Sequence, residues 1–220
     1  MPAAIFVIGA GPQIANAVAT LFVKQAGFSV GLSSRSATNL ERYKSLLPEG
    51  TKVATAVADA NDPASCVRAL EHLKSTLGPP SAILYNASSL SLGKKPILEY
   101  KPEDMEKHLR TSAVSGFTVL QWGVNNVVKD EEGRSALLVT GGGLSFQPRD
   151  GLSGLAAGKA SLLNICKAFR VECPQIHVAT VIVKGFVDKG DPYYASSVIA
   201  EEYWKLYAQK EDEWVFEVVH

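Results

Sequence analysis

Short apolar runs alternate with longer mixed stretches along almost the whole chain, a pattern typical of strands that alternate with helices. The predicted strands are residues 3–9, 28–32, 52–58, 82–85, 135–140, 177–183 and 213–219. The predicted helices are residues 13–26, 39–47, 63–77, 103–129, 153–170 and 199–209. Each predicted strand except the last is therefore followed by a predicted helix.

Local signals mark where several of these helices begin and end. Asp62 followed by Pro63 is a good N-cap with proline at the first helical position. The segment Pro48-Glu49-Gly50 ends the second helix. Glu103 and Asp104 place acidic side chains at the positive end of the long fourth helix.

The alternation predicts one α/β domain over residues 1–220. Strands that alternate with helices form a mostly parallel sheet with helices on both faces, joined by right-handed crossovers. We therefore expect a single Rossmann-type, doubly wound domain with a mostly parallel, seven-stranded sheet. Ligands of such sheets bind beyond the carboxyl ends of the strands, so the residues that follow each strand are the candidates for function.

Composition and charge narrow the classes of partner. The 22 basic residues balance 22 acidic ones and form no basic run, so we expect no nucleic-acid partner. No apolar stretch approaches the roughly 18 residues that span a bilayer, and the N-terminal segment fits a strand better than a signal peptide. Cys66, Cys166 and Cys173 lack metal spacing and even pairing, which indicates reduced thiols in a cytoplasmic protein. We expect no metal site, because His108 has no second ligand residue nearby.

A glycine turn follows the first predicted strand. Gly9 and Gly11 let the backbone approach a pyrophosphate closely, and the helix that begins at Gln13 presents amides and a positive dipole. The alternative is a turn of purely structural importance.

The second predicted strand is followed by Ser33-Ser34-Arg35-Ser36, without an acidic residue. An acidic side chain there would bond the ribose 2′-hydroxyl and select NAD. Hydroxyl groups and a guanidinium suit a 2′-phosphate instead, so we expect NADP(H) with Ser34 and Arg35 among its ligands. The alternative is a solvated arginine in a loop.

Five segments together resemble the short-chain dehydrogenase/reductase family. They are Gly9-Ala10-Gly11-Pro12-Gln13-Ile14-Ala15, Asp59-Ala60-Asn61-Asp62, Asn86-Ala87-Ser88, Leu155-Ala156-Ala157-Gly158-Lys159 and Lys184-Gly185-Phe186-Val187-Asp188-Lys189. The resemblance implies a cofactor site, with Asp59 at the adenine, Lys159 at the nicotinamide ribose and the Val187 backbone at the carboxamide. The other cofactor-binding residues that it implies are Gly9, Gly11, Gln13, Ile14, Asn86, Ala87 and Gly185.

The chain departs from the family pattern where the chemistry would occur. In this family an Asn-Ser-Tyr-Lys set moves the proton that accompanies hydride transfer. Here the tyrosine position is Leu155, the serine position falls on Gly142, and the asparagine position falls near Ala113, so only Lys159 remains. Gln13 also replaces a glycine and places a side chain where the pyrophosphate would lie.

The segment around residues 188–198 is shorter than the helical lid that relatives often have there, which implies an open substrate pocket. Tyr193 in this segment and Asp150 before the Lys159 helix are candidate replacement acids. The alternatives are an aromatic anchor for Tyr193 and a turn aspartate for Asp150.

These residues lead to one main hypothesis and two alternatives. We expect an atypical NADP(H)-dependent oxidoreductase that acts on a small organic substrate needing little acid assistance, such as an iminium. The alternatives are a non-redox cyclase or isomerase and a catalytically inactive NADPH-binding protein. The resemblance also implies a homodimer or homotetramer through the long helix and the Lys159 helix. The residues of that face are Val114, Phe117, Leu120 and Trp122, which the helical pattern fits equally well as core residues.

Overall fold

Seven strands form one parallel sheet in the computed structural model, which describes residues 3–220. The strands are β1 Ala4–Ile8, β2 Ser29–Ser34, β3 Val53–Val57, β4 Ala82–Tyr85, β5 Ala136–Gly142, β6 His177–Val183 and β7 Glu217–Val219. Their order is β3-β2-β1-β4-β5-β6-β7, and every neighbouring pair is parallel. The predicted Rossmann-type α/β class with a seven-stranded sheet is confirmed.

Helices cover both faces of this sheet. They are α1 Ile14–Ala26, α2 Ala37–Lys44, α3 Pro63–Leu77, α4 Pro102–Leu109, α5 Ser115–Asn126, α6 Ser153–Glu172 and α7 Ser196–Tyr207. Short 3₁₀ turns lie at Ser89–Leu92, Ile97–Glu99, Gly143–Ser145 and Glu211–Glu213. The predicted N-cap of α3 is confirmed, because the Asp62 side chain accepts from the Ala64 N–H at 3.1 Å.

Alternation along β1 divides the core into two layers. Phe6 and Ile8 pack with apolar residues of α3, α5 and α6, whereas Ile5 and Val7 pack with those of α1, α2 and α7. Successive side chains of a strand point to opposite faces, so a wholly apolar strand needs helices on both sides. This is the doubly wound arrangement, and it leaves the carboxyl ends of the strands open at one edge.

The predicted ends of β2 and α2 were wrong by two or three residues. β2 continues to Ser34, because Ser33 and Ser34 still pair with Ala56 and Val57 of β3 despite their polar side chains. α2 begins at Ala37, since the Ser36 hydroxyl accepts from the Asn39 N–H at 3.3 Å, and it ends at Lys44.

The predicted last strand, residues 213–219, was largely wrong, because β7 contains only Glu217–Val219. Among the preceding residues, Phe216 still accepts a backbone hydrogen bond from the Thr180 N–H at 2.8 Å, whereas Trp214 and Val215 contact β6 through the His177 side chain. The Trp214 ring stacks on His177 with 5.0 Å between centroids, and the His177 Nε2 lies 2.8 Å from the Val215 carbonyl oxygen. α7 also begins and ends slightly before its predicted bounds of 199–209.

The predicted long helix, residues 103–129, is divided by a π-helical turn at Arg110–Val114. The Tyr85 hydroxyl donates to the Thr111 carbonyl, and the Asn61 side-chain amide donates to Thr111 Oγ1 at 3.2 Å. These contacts from two strand ends hold the backbone that the periodicity predicted as regular helix. π-helical turns are frequent at functional sites, and this one borders the cavity described next.

Two findings bear on partners. Over residues 3–220, the structure contains no helix long and apolar enough to cross a membrane. Within the same residues, no group of three or more His, Cys, Asp or Glu side chains is placed to hold a metal ion.

Candidate functional site

A cavity of about 450 Å³ lies at the carboxyl edge of the sheet, and we call it the strand-end cavity. The residues that follow β1, β2, β3 and β4 meet there, because parallel strands all end at the same edge. Six residues predicted from sequence border it: Gly9, Ser34, Arg35, Asp59, Asn86 and Ala87. Lys107 and Thr111, from α4 and the π-helical turn, complete one wall.

The turn after β1 needs glycine at Gly9 but not at Gly11. Gly9 has φ +87°, and a Cβ built there would lie 2.4 Å from the Ala87 backbone nitrogen. Its N–H donates to the Ser33 carbonyl at 3.0 Å, which ties the turn to β2. A Cβ on Gly11 would meet no atom within 4 Å, so packing does not explain the missing side chain. The open space at Gly11 is consistent with close approach of a ligand to the backbone.

Ser33 borders the cavity, and its hydroxyl is buried within the protein. Its residue is 1% exposed, and its hydroxyl has no hydrogen-bond partner among the described residues. Ser34 and Arg35 border the cavity beside it, and the Ser34 hydroxyl donates to the Ser36 carbonyl at 3.3 Å. Buried hydroxyl groups are normally hydrogen-bonded, so the Ser33 hydroxyl is an exception that no contact among the described residues explains.

Backbone and amide contacts fix the adenine side of the predicted site. The Asp59 Oδ1 atom accepts from the Asn61 N–H at 2.9 Å. The Asn61 side-chain amide then donates to the Lys107 carbonyl at 3.2 Å. These bonds join the loop after β3 to α4 and leave the exposed Asp59 carboxylate at the cavity rim.

A chain of hydrogen bonds lies beneath the cavity and links β1, β4, β5 and α7. The Asn86 amide donates to the Gly9 carbonyl at 3.0 Å, and its Oδ1 accepts from the Thr140 hydroxyl at 2.8 Å. The Tyr203 hydroxyl donates to Thr140 Oγ1 at 2.8 Å. Sequence reasoning missed Tyr203, because only the fold brings α7 to the end of β5. Tyr203 is fully buried, so it positions Thr140 rather than touching a ligand.

Lys159 lies on α6, as predicted, and its side chain points to the backbone of Thr140. Its Nζ donates to the Thr140 carbonyl at 2.7 Å, and only 8% of the residue is exposed. Burial disfavours the ammonium form and lowers the pKa of Lys159 from 10.5 to about 8. The predicted ribose ligand is therefore already bonded within the protein.

A serine–histidine pair that the sequence analysis missed lies beside Gly154 of α6. The Ser89 Oγ and His108 Nδ1 atoms lie 2.7 Å apart, and both residues are buried. The His108 ring packs on Gly154, and burial lowers the pKa of His108 below its ordinary value. Ser89 and His108 belong to different elements, so no motif spacing indicated this pair.

Gln13 and Val187, two predicted cofactor residues, contact each other directly. The Gln13 Nε2 donates to the Val187 carbonyl at 3.1 Å, across 174 positions of sequence. Gln13 is the N-cap residue of α1, and its side chain makes no capping bond. Ile14 is buried in the core. Gly185 lies under Tyr194, where a Cβ would come within 2.3 Å of the ring.

The two candidate replacement acids lie away from the strand-end cavity. Tyr193 is 51% exposed, and its ring stacks on His220 with 4.3 Å between centroids. The His220 Nε2 atom lies 2.7 Å from the Tyr193 carbonyl oxygen. This contact holds the segment between β6 and α7 in place. Asp150 is exposed in the loop before α6. The structure thus does not bring either side chain to the cavity.

Comparison with known proteins gives one family and a set of similar folds. The short chain dehydrogenase family model matches residues 3–189. No curated protein matches the sequence significantly.

Three solved structures illustrate the similarity of fold. A short-chain dehydrogenase from Rhodopseudomonas palustris is 24% identical, with a TM-score of 0.84 over 99% of this chain and 97% of that one. An alcohol dehydrogenase from Thermococcus sibiricus, complexed with 5-hydroxy-NADP, is 20% identical, with a TM-score of 0.84 over 99% and 95%. A short chain dehydrogenase from Burkholderia cenocepacia, in complex with NADP, is 16% identical, with a TM-score of 0.81 over 99% and 95%.

Proposed function

The chain belongs to the short-chain dehydrogenase family, and from that premise we propose that it is an NADP(H)-dependent oxidoreductase acting on a small organic substrate. The observation that carries the proposal is the strand-end cavity, which Ser34 and Arg35 border together with Gly9, Asp59 and Asn86. NADP in the Burkholderia structure and its 5-hydroxy derivative in the Thermococcus structure support the choice of cofactor.

The residues present fit the adenosine half of that cofactor. Arg35 and the hydroxyl of Ser34, at the end of β2, would hold the 2′-phosphate through charge-assisted hydrogen bonds. Asp59 would face the adenine, and Gly11 with the first turn of α1 would hold the diphosphate. Asn86 and Ala87 would border the ribose, with Asn86 kept in place by Gly9 and Thr140.

The proton that accompanies hydride transfer needs a different source from the family's usual tyrosine. The bound cofactor supplies the hydride. Leu155 is apolar and 5% exposed, so it donates no proton. We propose a substrate that already carries positive charge, such as an iminium, because its reduction requires little acid assistance. Asp150 and Tyr193 stay secondary candidates, since a substrate or a moving segment would have to reach them.

One observation favours a second candidate function. Lys159, at the proposed ribose position, and Gln13, at the proposed diphosphate position, both donate hydrogen bonds to carbonyl groups of the protein. A protein that binds NADPH without turning it over, with the cofactor as a signal or a structural group, would have the same geometry. A non-redox cyclase or isomerase has no separate observation in its favour.

We also propose a homodimer or homotetramer. Val114 and Phe117 are 47% and 43% exposed, and the Phe117 ring lies 5.6 Å from Phe169 of α6. Leu120 and Trp122, which the sequence analysis placed on this face, are buried in the core instead, because they point toward α3 and the sheet. The exposed apolar residues thus remain available for a neighbouring copy.

Deuteride transfer tests the proposed reaction. The protein is incubated with NADPH deuterated at the transferable position and a panel of cyclic iminium ions and matched ketones, and products are analysed by mass spectrometry. We expect deuterium in the reduced amines and far less in the alcohols. NADPH binding without label transfer to any product would contradict the oxidoreductase proposal and favour the NADPH-binding protein.

A further inference from the structure

The two halves of the proposed cofactor site differ in how accessible they are. The strand-end cavity is bordered by residues that follow β1, β2, β3 and β4. Lys159 and Val187, which the sequence analysis assigned to the nicotinamide half, are not among the described residues that line this cavity. The Gln13–Val187 hydrogen bond lies between the two groups of residues, and we call it the clasp.

Both ends of the clasp are held in position by their own elements. Gln13 is fixed by α1, whose next residues Ile14 and Ala15 are buried in the core. Val187 packs partly against the same core, and the neighbouring Asp188 N–H donates to the Tyr194 carbonyl at 3.2 Å. The Gln13 amide therefore reaches an acceptor whose place is fixed by the β6–α7 segment.

The chemistry of the clasp suits a contact that a ligand can break. Gln13 is exposed, so water competes for its amide, and the net contribution of such a hydrogen bond is small. The amide is a donor of the same kind as the carboxamide of a nicotinamide, and it takes up the Val187 carbonyl. A complete dinucleotide has to displace it, whereas a nucleotide that ends at its 5′-phosphate does not.

We propose that Gln13 is a specificity-determining residue that favours adenine nucleotides ending at the 5′-phosphate over complete dinucleotides. The proposal rests on the NADP(H) site proposed above and deepens it. The clasp leaves the adenosine half of the site open. The nicotinamide half of NADPH then adds little to the affinity of the protein for the whole dinucleotide. Opening the clasp becomes part of the binding of NADPH but not of the binding of 2′,5′-ADP.

Calorimetric titration of the full-length protein with 2′,5′-ADP and with NADPH tests this role. We expect the parent to bind the two ligands with dissociation constants within about threefold of each other, since the nicotinamide half adds little net affinity. In Gln13→Gly, NADPH binding tightens by about five- to tenfold, the net effect of one exposed hydrogen bond, while 2′,5′-ADP binding changes less than about twofold.

Two further variants separate the clasp from other effects. Gln13→Asn keeps the amide but is one methylene too short to reach Val187. It should therefore tighten NADPH binding as Gln13→Gly does, although asparagine does not add the backbone freedom of glycine. Gln121→Asn, an exposed residue on α5, should leave both dissociation constants unchanged. If the ratio of the NADPH and 2′,5′-ADP dissociation constants were the same in the parent and in all variants, the role of the clasp would be overturned while the cofactor site would stand. No binding of either ligand to the parent would overturn the cofactor site together with it.

Discussion

Lys159 carries the largest electrostatic cost among the proposed site residues. It is buried behind Thr140, and its pKa falls from 10.5 to about 8 because its ammonium group has lost water. Between these two pH values, the unfolded chain holds a proton that the folded protein has released. The contribution of Lys159 should therefore make the free energy of unfolding rise with pH in this window. Below about pH 8, where Lys159 is protonated in both states, its contribution should be nearly independent of pH.

Replacing Lys159 with Met tests that assignment through stability. Relative to Lys159→Met, the parent should gain roughly 3 kcal/mol of unfolding free energy as pH rises through the window, from about 1.4 kcal/mol per pKa unit. Urea unfolding of both proteins at the two ends of the window measures this difference. Lys167→Met, exposed on the same helix, should leave the parent's pH dependence intact. An identical pH dependence in parent and Lys159→Met would show that Lys159 is not desolvated.

Arg35 is the residue on which the choice between NADPH and NADH depends. Arg35→Ala should weaken NADPH binding by about 10- to 100-fold, the range for a hydrogen bond to a charged group, and leave NADH binding nearly unchanged. Titration calorimetry with both dinucleotides measures the change in preference. Arg68→Ala is the matched control, because Arg68 is exposed and pairs with Asp62 away from β2. An equal loss of affinity for NADPH and NADH in Arg35→Ala would show that Arg35 does not bind the 2′-phosphate.

Much of the residue-scale site followed from sequence, and its limits have a physical cause. Gly9, Ser34, Arg35, Asp59, Asn86 and Ala87 were predicted and do border one cavity, because each lies at or just beyond the carboxyl end of a strand of the same parallel sheet. Tyr203, the Ser89–His108 pair and the Gln13–Val187 contact were not predicted. They depend on how helices and loops pack across the fold, which local spacing does not encode.

At the scale of elements, the order of strands and helices was predictable, whereas irregular turns were not. The apolar runs predicted the central strands well, because β1, β4 and β6 are buried between the two helix layers along their whole length. The π-helical turn at Arg110–Val114 was predicted as ordinary helix, since its cause is a set of contacts from Tyr85 and Asn61. β7 was predicted too long, because Trp214 and Val215 contact the His177 side chain of β6 instead of pairing with β6 as strand residues.

The contact between α4 and α6 depends on glycine in α6. A Cβ at Gly154 would lie 2.2 Å from the His108 ring, which is itself bonded to Ser89. Gly154→Ala should therefore lower the free energy of unfolding by about 1–3 kcal/mol, the usual cost of overpacking a core. Urea unfolding measures the loss.

An exposed position on the same helix provides the control for this packing effect. Asn164→Ala should change the free energy of unfolding by less than about 0.5 kcal/mol. A stabilised Gly154→Ala variant would mean that the gain in helix propensity outweighs the contact, and that α4 can move away from α6.

At the scale of the whole molecule, the exposed Val114 of the π-helical turn and Phe117 of α5 predict self-association. Phe117→Asp should shift the protein toward monomer, because a carboxylate would be buried at the contact between copies. Analytical ultracentrifugation measures the shift. Leu46→Asp, a similarly exposed apolar position after α2, should leave the oligomeric state unchanged. A parent protein that is monomeric at all accessible concentrations would contradict this assembly.

Calorimetric titration of the parent protein with NADPH and NADH is the most direct test of the account as a whole. The strand-end cavity, with Ser33, Ser34 and Arg35 and no acidic residue after β2, predicts micromolar binding of NADPH and much weaker binding of NADH. Absence of binding for both dinucleotides would contradict the account, because the cavity would then not be a cofactor site.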